Sequence, residues 1–210
     1  MSKQTKFFQS KELQSKISNT YKIITIGVIG TSFGIGVTHF CLALNTYFGK
    51  NRSKVALVER SDTPAFSAIE NAYEGKNVSD LTECFNIKKT KFYKDFKGPI
   101  GQIKDLDFQV IIIDYGEVSN RKIQEFNETD IRIVIGQGNE WKYLEIEGLN
   151  QQFSKDDMKN WKWVLNFGSK AEVSQLNKDY RVKAKTFKYY KDPFLWDKEL
   201  SKNIASILEG

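Results

Sequence analysis

Residues 22–49 read KIITIGVIGTSFGIGVTHFCLALNTYFG, and this stretch decides the fold. The β-branched run over 22–29 predicts a buried strand that ends at Gly30. Residues 37–49 carry a helical pattern of apolar side chains that ends at Gly49. A strand, a glycine-rich loop and a helix in this order are typical of the β-α-β unit, which predicts a parallel sheet.

The rest of the chain continues the alternation of strands and helices. The strongest later strand is FQVIII at 108–113, whose unbroken apolar run indicates burial on both faces of a sheet. We therefore expect an α/β fold: a doubly wound, mostly parallel sheet of about seven strands, with helices on both faces in three layers. Further strands are predicted at 54–59, 131–135, 161–166 and 184–188, an exposed strand or loop at 85–95, and helices at 63–74, 139–152, 170–178 and 195–208.

The domain organisation is simple. Residues 1–20 are expected to form a helical N-terminal extension, and residues 21–210 a single domain. Thr63 is the predicted N-cap of its helix. The last helix has one apolar stripe, which predicts docking onto the domain; the stripe consists of Leu200, Ile204, Ile207 and Leu208.

Composition excludes several classes of protein. The 210 residues carry a net charge of +6 and are 40% hydrophobic, which is typical of a globular chain. No apolar run reaches the roughly 20 residues of a membrane-spanning helix, and residues 1–16 lack the apolar core of a signal peptide, so we expect a cytoplasmic protein. The two cysteines, Cys41 and Cys84, and the single histidine, His39, argue against disulfides, zinc, haem and histidine-based catalytic triads.

The charge is unevenly distributed. Residues 1–22, 86–104 and 178–192 are rich in lysine, whereas residues 112–157 are acidic. If the basic stretches share a face, we expect them to attract an anionic partner in a salt-sensitive way. An acidic protein is favoured over nucleic acid, because arginine is scarce and lysine reads bases poorly, and over peripheral membrane contact. A solvated lysine-rich face with no partner is the plain alternative.

The candidate chemistry lies in the loop between the first strand and helix. Glycines there let backbone N–H groups turn toward an anion at a helix N-terminus. The standard P-loop pattern G-x-x-x-x-G-K-[ST] fails twice, because residue 31 is threonine and residue 37 is valine. A tight turn that only packs the helix against the strand is the alternative interpretation.

Three polar residues stand at the ends of predicted strands. Glu59 ends the second strand, Asp114 follows the apolar run VIII, and Asn166 ends the strand WKWVLN. Together with the loop after the first strand, they make the chain resemble the MinD/ParA family of deviant-Walker P-loop ATPases. In order and spacing the resemblance covers residues 22–208, and it is greatest to the atypical pilus-assembly members, TadZ and CpaE. The loop of the family aligns with Ser32, Phe33, Gly34, Ile35, Gly36, Val37 and Thr38.

The resemblance implies roles for these residues. The loop would bind ATP, Thr38 and Asp114 would hold Mg²⁺, Glu59 would position the attacking water, and Asn166 would recognise the base. Both family lysines are absent, since Ser32 and Val37 stand in their places, so slow or absent hydrolysis is expected. The family also implies a homodimer or a protein partner at the face that carries the loop. From the residues alone, Thr38 could equally cap its helix, and Glu59 could be a solvent-facing strand end.

Three function classes follow. The first is a nucleotide-binding or catalytically impaired scaffold that positions a cytoplasmic assembly, such as pilus or partition machinery. The second is an active partition-type ATPase in which another basic residue, such as Arg60, replaces the lost lysine. The third is a dinucleotide-binding oxidoreductase, because Glu59 lies 23 residues after Gly36, near the spacing of a ribose-binding acid.

Overall fold

The computed structural model describes residues 23–51, 53–75, 83–104 and 106–209. The helical extension predicted for 1–20 lies outside the described residues. Within them the strands are β1 Ile24–Gly30, β2 Val55–Glu59, β3 Cys84–Ile87, β4 Thr90–Tyr93, β5 Val110–Glu117, β6 Ile131–Gln137, β7 Trp161–Asn166 and β8 Lys185–Phe187. The helices are α1 Val37–Lys50, α2 Ala65–Glu74, α3 Gly101–Lys104, α4 Asn120–Asn127, α5 Glu140–Gln152, α6 Lys155–Met158, α7 Lys170–Tyr180 and α8 Lys198–Glu209.

The strands form one sheet in the order β3-β4-β2-β5-β1-β6-β7-β8. Every neighbouring pair is parallel except β3 and β4, which are antiparallel. Strand β1 lies between β5 and β6, near the middle of the sheet, so the loop that follows it opens at the carboxyl edge of the sheet. The doubly wound, mostly parallel α/β fold is confirmed, and this edge is where such sheets bind ligands.

An apolar cluster covers each face of the sheet. One cluster includes residues of α1 and α8, and the other includes residues of α4, α5 and α7. Leu200, Ile204, Ile207 and Leu208 are all buried in the first cluster. The prediction that the last helix docks onto the domain is therefore confirmed. No helix among the described residues is long and apolar enough to span a membrane.

The segment at 85–95 differs from its prediction. It forms most of a hairpin at one end of the sheet, so there are eight strands in the described part of the chain rather than about seven. Phe85 stacks on the fully buried Phe92 at 4.8 Å between ring centroids. Lys94 is also buried, in an ion pair with Glu70. Lys88, Lys89 and Lys91 lie between Phe85 and Phe92 and make the segment look exposed in the sequence. One of the presumed surface charges, Lys94, is internal.

Candidate functional site

The loop from Thr31 to Gly36 links β1 to α1 at the carboxyl edge of the sheet. Its backbone is tied to β6 by the N–H of Thr31, which donates to the carbonyl of Ile135 at 2.9 Å. Gly34 and Gly36 have φ angles of 77° and 93°, and Gly36 immediately precedes α1. These left-handed conformations favour glycine, and they place a curved loop at a helix N-terminus, where the dipole attracts anions.

Val37 occupies the position at which the P-loop pattern has lysine, and its side chain belongs to the core. It is only 6% exposed. A Cβ built on Gly30 would lie 2.7 Å from Cγ2 of Val37 and 3.0 Å from Cδ1 of Ile35, so glycine is needed at position 30 to accommodate both side chains. The loop keeps its curvature, but position 37 supplies packing instead of positive charge.

Thr38 and Asp114 meet directly, as the resemblance implied for a metal site. The Thr38 hydroxyl donates to Oδ2 of Asp114 at 2.6 Å, and the N–H of Gly116 donates to Oδ1 at 2.9 Å. Asp114 is fully buried. Burial raises the pKa of its carboxyl above the usual value, although these two hydrogen bonds and the charge of Lys122 act in the opposite direction.

This pair fits Mg²⁺ only in combination with a phosphate. The described residues contain no cluster of three or more His, Cys, Asp or Glu side chains able to hold a metal. Mg²⁺ commonly takes one or two protein oxygens together with phosphate oxygens and water. Thr38 and Asp114 are therefore suited to a metal that arrives with a nucleotide.

Asn166 contacts the loop itself. Its Nδ2 donates to the carbonyl of Ile35, and a Cβ on Gly36 would lie 2.7 Å from Nδ2. The side chain is 4% exposed, and its Oδ1 has no hydrogen-bond partner in the described part of the chain. The next residue, Phe167, is 60% exposed and lies 5.8 Å from the exposed ring of Tyr189. Aromatic faces thus border the loop where Asn166 was predicted to recognise a base.

Glu59 is not a solvent-facing strand end, because it is only 1% exposed. It pairs in register with Asp114, but Oε1 accepts the N–H of Phe66 at 2.9 Å and Oε2 accepts the N–H of Asp95 at 3.2 Å. Its pKa is raised, chiefly by burial. Glu59 thereby caps the N-terminus of α2, which begins at Ala65. The N-cap residue of this helix is Pro64, which offers no side-chain cap, so the prediction of Thr63 as N-cap is wrong.

Arg60 is engaged away from the loop. Its guanidinium donates to the carbonyls of Phe96 and Gly98 and to Oε1 of Glu125. Two of these acceptors lie in the connection between β4 and α3 and the third lies on α4, so the Arg60 side chain is fixed between these segments. Arg60 is therefore a structural residue and does not replace the missing loop lysine.

Lys142, which the sequence reasoning missed, brings a positive charge to the loop. Its Nζ donates to Oγ of Ser32 at 3.1 Å and to Oε1 of Glu145 at 2.6 Å. The other oxygen of Glu145 accepts the Thr31 hydroxyl at 3.4 Å. The sequence did contain a signal for this contact. A helix is predicted directly after β6, which neighbours β1, so a lysine in the first turn of that helix lies close to the loop after β1.

Most of the predicted site residues converge. The loop residues Ser32 to Thr38, Asp114 and Asn166 share the carboxyl edge of the sheet, with direct contacts from Thr38 to Asp114 and from Asn166 to Ile35. Phe33 is 69% exposed in this loop. Glu59 lies at the same edge, but its carboxylate is occupied by backbone N–H groups.

The comparisons with known proteins agree with this architecture. No protein-family model matches the chain, and no curated protein matches it in sequence. Solved structures do match. The MinD cell division protein of Aquifex aeolicus superposes with a TM-score of 0.64 at 13% identity, over 88% of this chain and 94% of that one.

Two further solved structures give similar matches. A putative plasmid partition protein from Borrelia burgdorferi, solved bound to AMPPNP, has a TM-score of 0.62 at 14% identity and covers 90% of this chain and 98% of its own. A ParA family ATPase from Chlorobium tepidum has a TM-score of 0.56 at 15% identity, over 90% and 99% of the two chains. The chain therefore has the fold of MinD and ParA structures over nearly its whole length.

Proposed function

We propose that the protein is a MinD/ParA-type nucleotide-binding scaffold that hydrolyses ATP very slowly or not at all. The observation that carries the proposal is the loop after β1. It keeps the left-handed glycines of an anion-binding turn, while Val37 is packed into the core where a lysine would face the phosphates. Such a site favours binding, and it lacks a charge that would stabilise the transferring phosphoryl group.

The proposed binding mode uses the residues gathered at the edge. Backbone N–H groups of the loop would hold the phosphates, and Thr38 with Asp114 would contact the accompanying Mg²⁺. The exposed rings of Phe167 and Tyr189 offer stacking faces for the base. Asn166 would act indirectly, because its amide supports the loop through Ile35.

We further propose that the face carrying the loop binds a protein partner or a second copy of the chain. The exposed side chains of Phe33 and Phe167 make this edge partly apolar. The resemblance to TadZ and CpaE favours a pilus-type cytoplasmic assembly, and the solved partition proteins favour partition machinery. Light scattering of the wild type and of Phe33→Ser tests whether this face forms a homodimer. A dimer that is lost in the variant supports the proposal, and a monomer in both proteins excludes the homodimer.

Turnover of Mg·ATP by the purified protein tests the scaffold proposal. We expect no phosphate release above a no-protein control. Steady ATP consumption that disappears in Asp114→Ala would overturn the impaired-enzyme part of the proposal.

An active ATPase is the second candidate, and Lys142 is the observation that favours it. The ammonium lies against Ser32 and could supply the missing loop charge. However, Glu145 neutralises it in place, which weakens its effect on a phosphate. If turnover is found, Lys142→Met should abolish it and Lys142→Arg should retain part of it.

The oxidoreductase interpretation has little support in the site. It relied on Glu59 as a ribose-binding acid, and the carboxylate of Glu59 is buried on two backbone N–H groups.

A further inference from the structure

A groove of about 940 Å³ opens at the amino end of β7 and β8, at the opposite end of the sheet from the nucleotide loop. The first residues of both strands line it, together with the chain that connects α7 to β8. Trp163 and Val182 contribute apolar surface to the groove. The nucleotide proposal uses none of these residues.

Among the described residues, part of one strand edge in this groove has no pairing partner. Strand β8 has only three residues, and its pairing with β7 begins at Val164 opposite Lys185. Over Trp161–Trp163, β7 pairs with β6 on one side, but no described residue pairs with it on the other. An unpaired strand edge offers backbone N–H and carbonyl groups to another extended chain.

The walls of the groove are strongly basic. Lys159, Arg181 and Lys183 are exposed around it, and Lys162 is half-buried on β7. Burial lowers the pKa of Lys162, and the neighbouring charges of Lys185 and Lys183 lower it further. These cations repel one another, so a negative ligand would relieve the repulsion.

One acid, Asp179, lines the described groove against five cations, so it does not balance their charge. Asp179 accepts the Tyr143 hydroxyl at 3.0 Å and the amide of Gln175 at 2.9 Å. A ligand that carries carboxylates would supply the missing negative charge, and its backbone could pair with the free strand edge.

We propose that this groove binds an extended acidic segment of a partner protein, which continues the sheet alongside Trp161–Trp163 of β7. Acidic side chains of the segment lie on Lys162 and Lys183, and its apolar side chains lie on the floor of the groove. Duplex DNA fits less well, because a stiff rod cannot enter a concave groove to pair with a strand edge inside it. The chain's own residues 1–22 are lysine-rich, so charge also disfavours them as the occupant.

Fluorescence anisotropy with the full chain tests the charge component. The probe is a labelled peptide of about eight residues, a common strand length, with alternating glutamate and valine. We expect Lys183→Glu to weaken its binding by about tenfold or more, because the variant places like charges together. The matched control is Lys89→Glu, the same charge reversal on an exposed lysine in the hairpin turn at the opposite edge of the sheet.

A second peptide tests strand pairing. It carries the same charges with proline in place of valine, and it cannot pair along a strand edge, so it should bind at least about tenfold more weakly. Hydrogen exchange at residues 161–163 should slow when the first peptide is bound.

Three results would overturn the proposal: no peptide binding at low salt, equal losses in the Lys183 and Lys89 variants, or equal binding of the two peptides. Duplex DNA that displaces the peptide from the wild type but not from Lys183→Glu would assign the groove to nucleic acid instead.

Discussion

Replacing Asp114 by asparagine should stabilise the protein at neutral pH. Asp114 is fully buried, and its carboxylate has two hydrogen bonds, from Thr38 and Gly116. Asparagine keeps the acceptor for Gly116 and can donate to the Thr38 oxygen, while it removes the buried charge. Asparagine replaces two charge-assisted hydrogen bonds by two weaker neutral ones, and the relief of a desolvation cost of several kcal/mol exceeds that loss, so we expect a net gain of about 1–2 kcal/mol for the variant.

The pH dependence follows from the raised pKa of Asp114. The folded state holds this proton to a higher pH than the unfolded state, so the site's contribution to stability is complete below the ordinary pKa of 3.8 and is lost as pH rises through the folded pKa. The advantage of Asp114→Asn should therefore be present at pH 7 and should shrink toward pH 4.

Thermal unfolding at several pH values is the assay. For a chain of this size, 1 kcal/mol corresponds to about 2–4 °C, so Tm should rise by about 2–8 °C at neutral pH. Asp107→Asn, on an exposed side chain paired with Lys54, is the control and should change little. An Asp114→Asn variant that melts below the wild type at pH 7, or gains its advantage only in acid, would refute this reasoning.

Other predictions concern the loop and its surroundings. Gly36→Ala should destabilise the protein by about 1–3 kcal/mol, because φ is positive and the added Cβ would meet Asn166. Gly34→Ala also has a positive φ, but its Cβ meets no neighbour, so its loss of stability should be smaller. Urea unfolding compares the two variants. Glu59→Ala removes the acceptor of two backbone N–H groups and should lower the unfolding free energy by about 1–3 kcal/mol, with a fall in the urea midpoint as the readout. Burial lowers the pKa of His39 below 6.5, so the neutral form is favoured by folding and stability should fall as pH drops through 6.5. Comparison with His39→Gln isolates this contribution, and an unchanged pH profile in that variant would contradict it.

Most of the fold could be predicted from the sequence, because its strands are long apolar runs. The run at 108–113 and the glycine-rich loop after β1 specify the centre of a parallel sheet. The hairpin at 84–93 could not be predicted so clearly, since Lys88, Lys89 and Lys91 separate its buried aromatics in the sequence. Periodicity is a weak signal in such short strands.

The site was predicted less completely than the fold. The contact between Thr38 and Asp114 follows from strand order, because both residues lie at the carboxyl edge of neighbouring elements. Side-chain direction does not follow from strand order. Glu59 turns to cap α2, and Lys142 reaches the loop from a helix distant in sequence, so their roles depend on tertiary contacts.

A titration of labelled ATP with and without Mg²⁺ tests the central claim most directly. The account predicts saturable binding that tightens with Mg²⁺, with the Mg²⁺ effect lost in Asp114→Ala and no phosphate released. An absence of saturable binding up to about 1 mM, where the binding free energy is only about −4 kcal/mol, would contradict the claim that this loop is a nucleotide site.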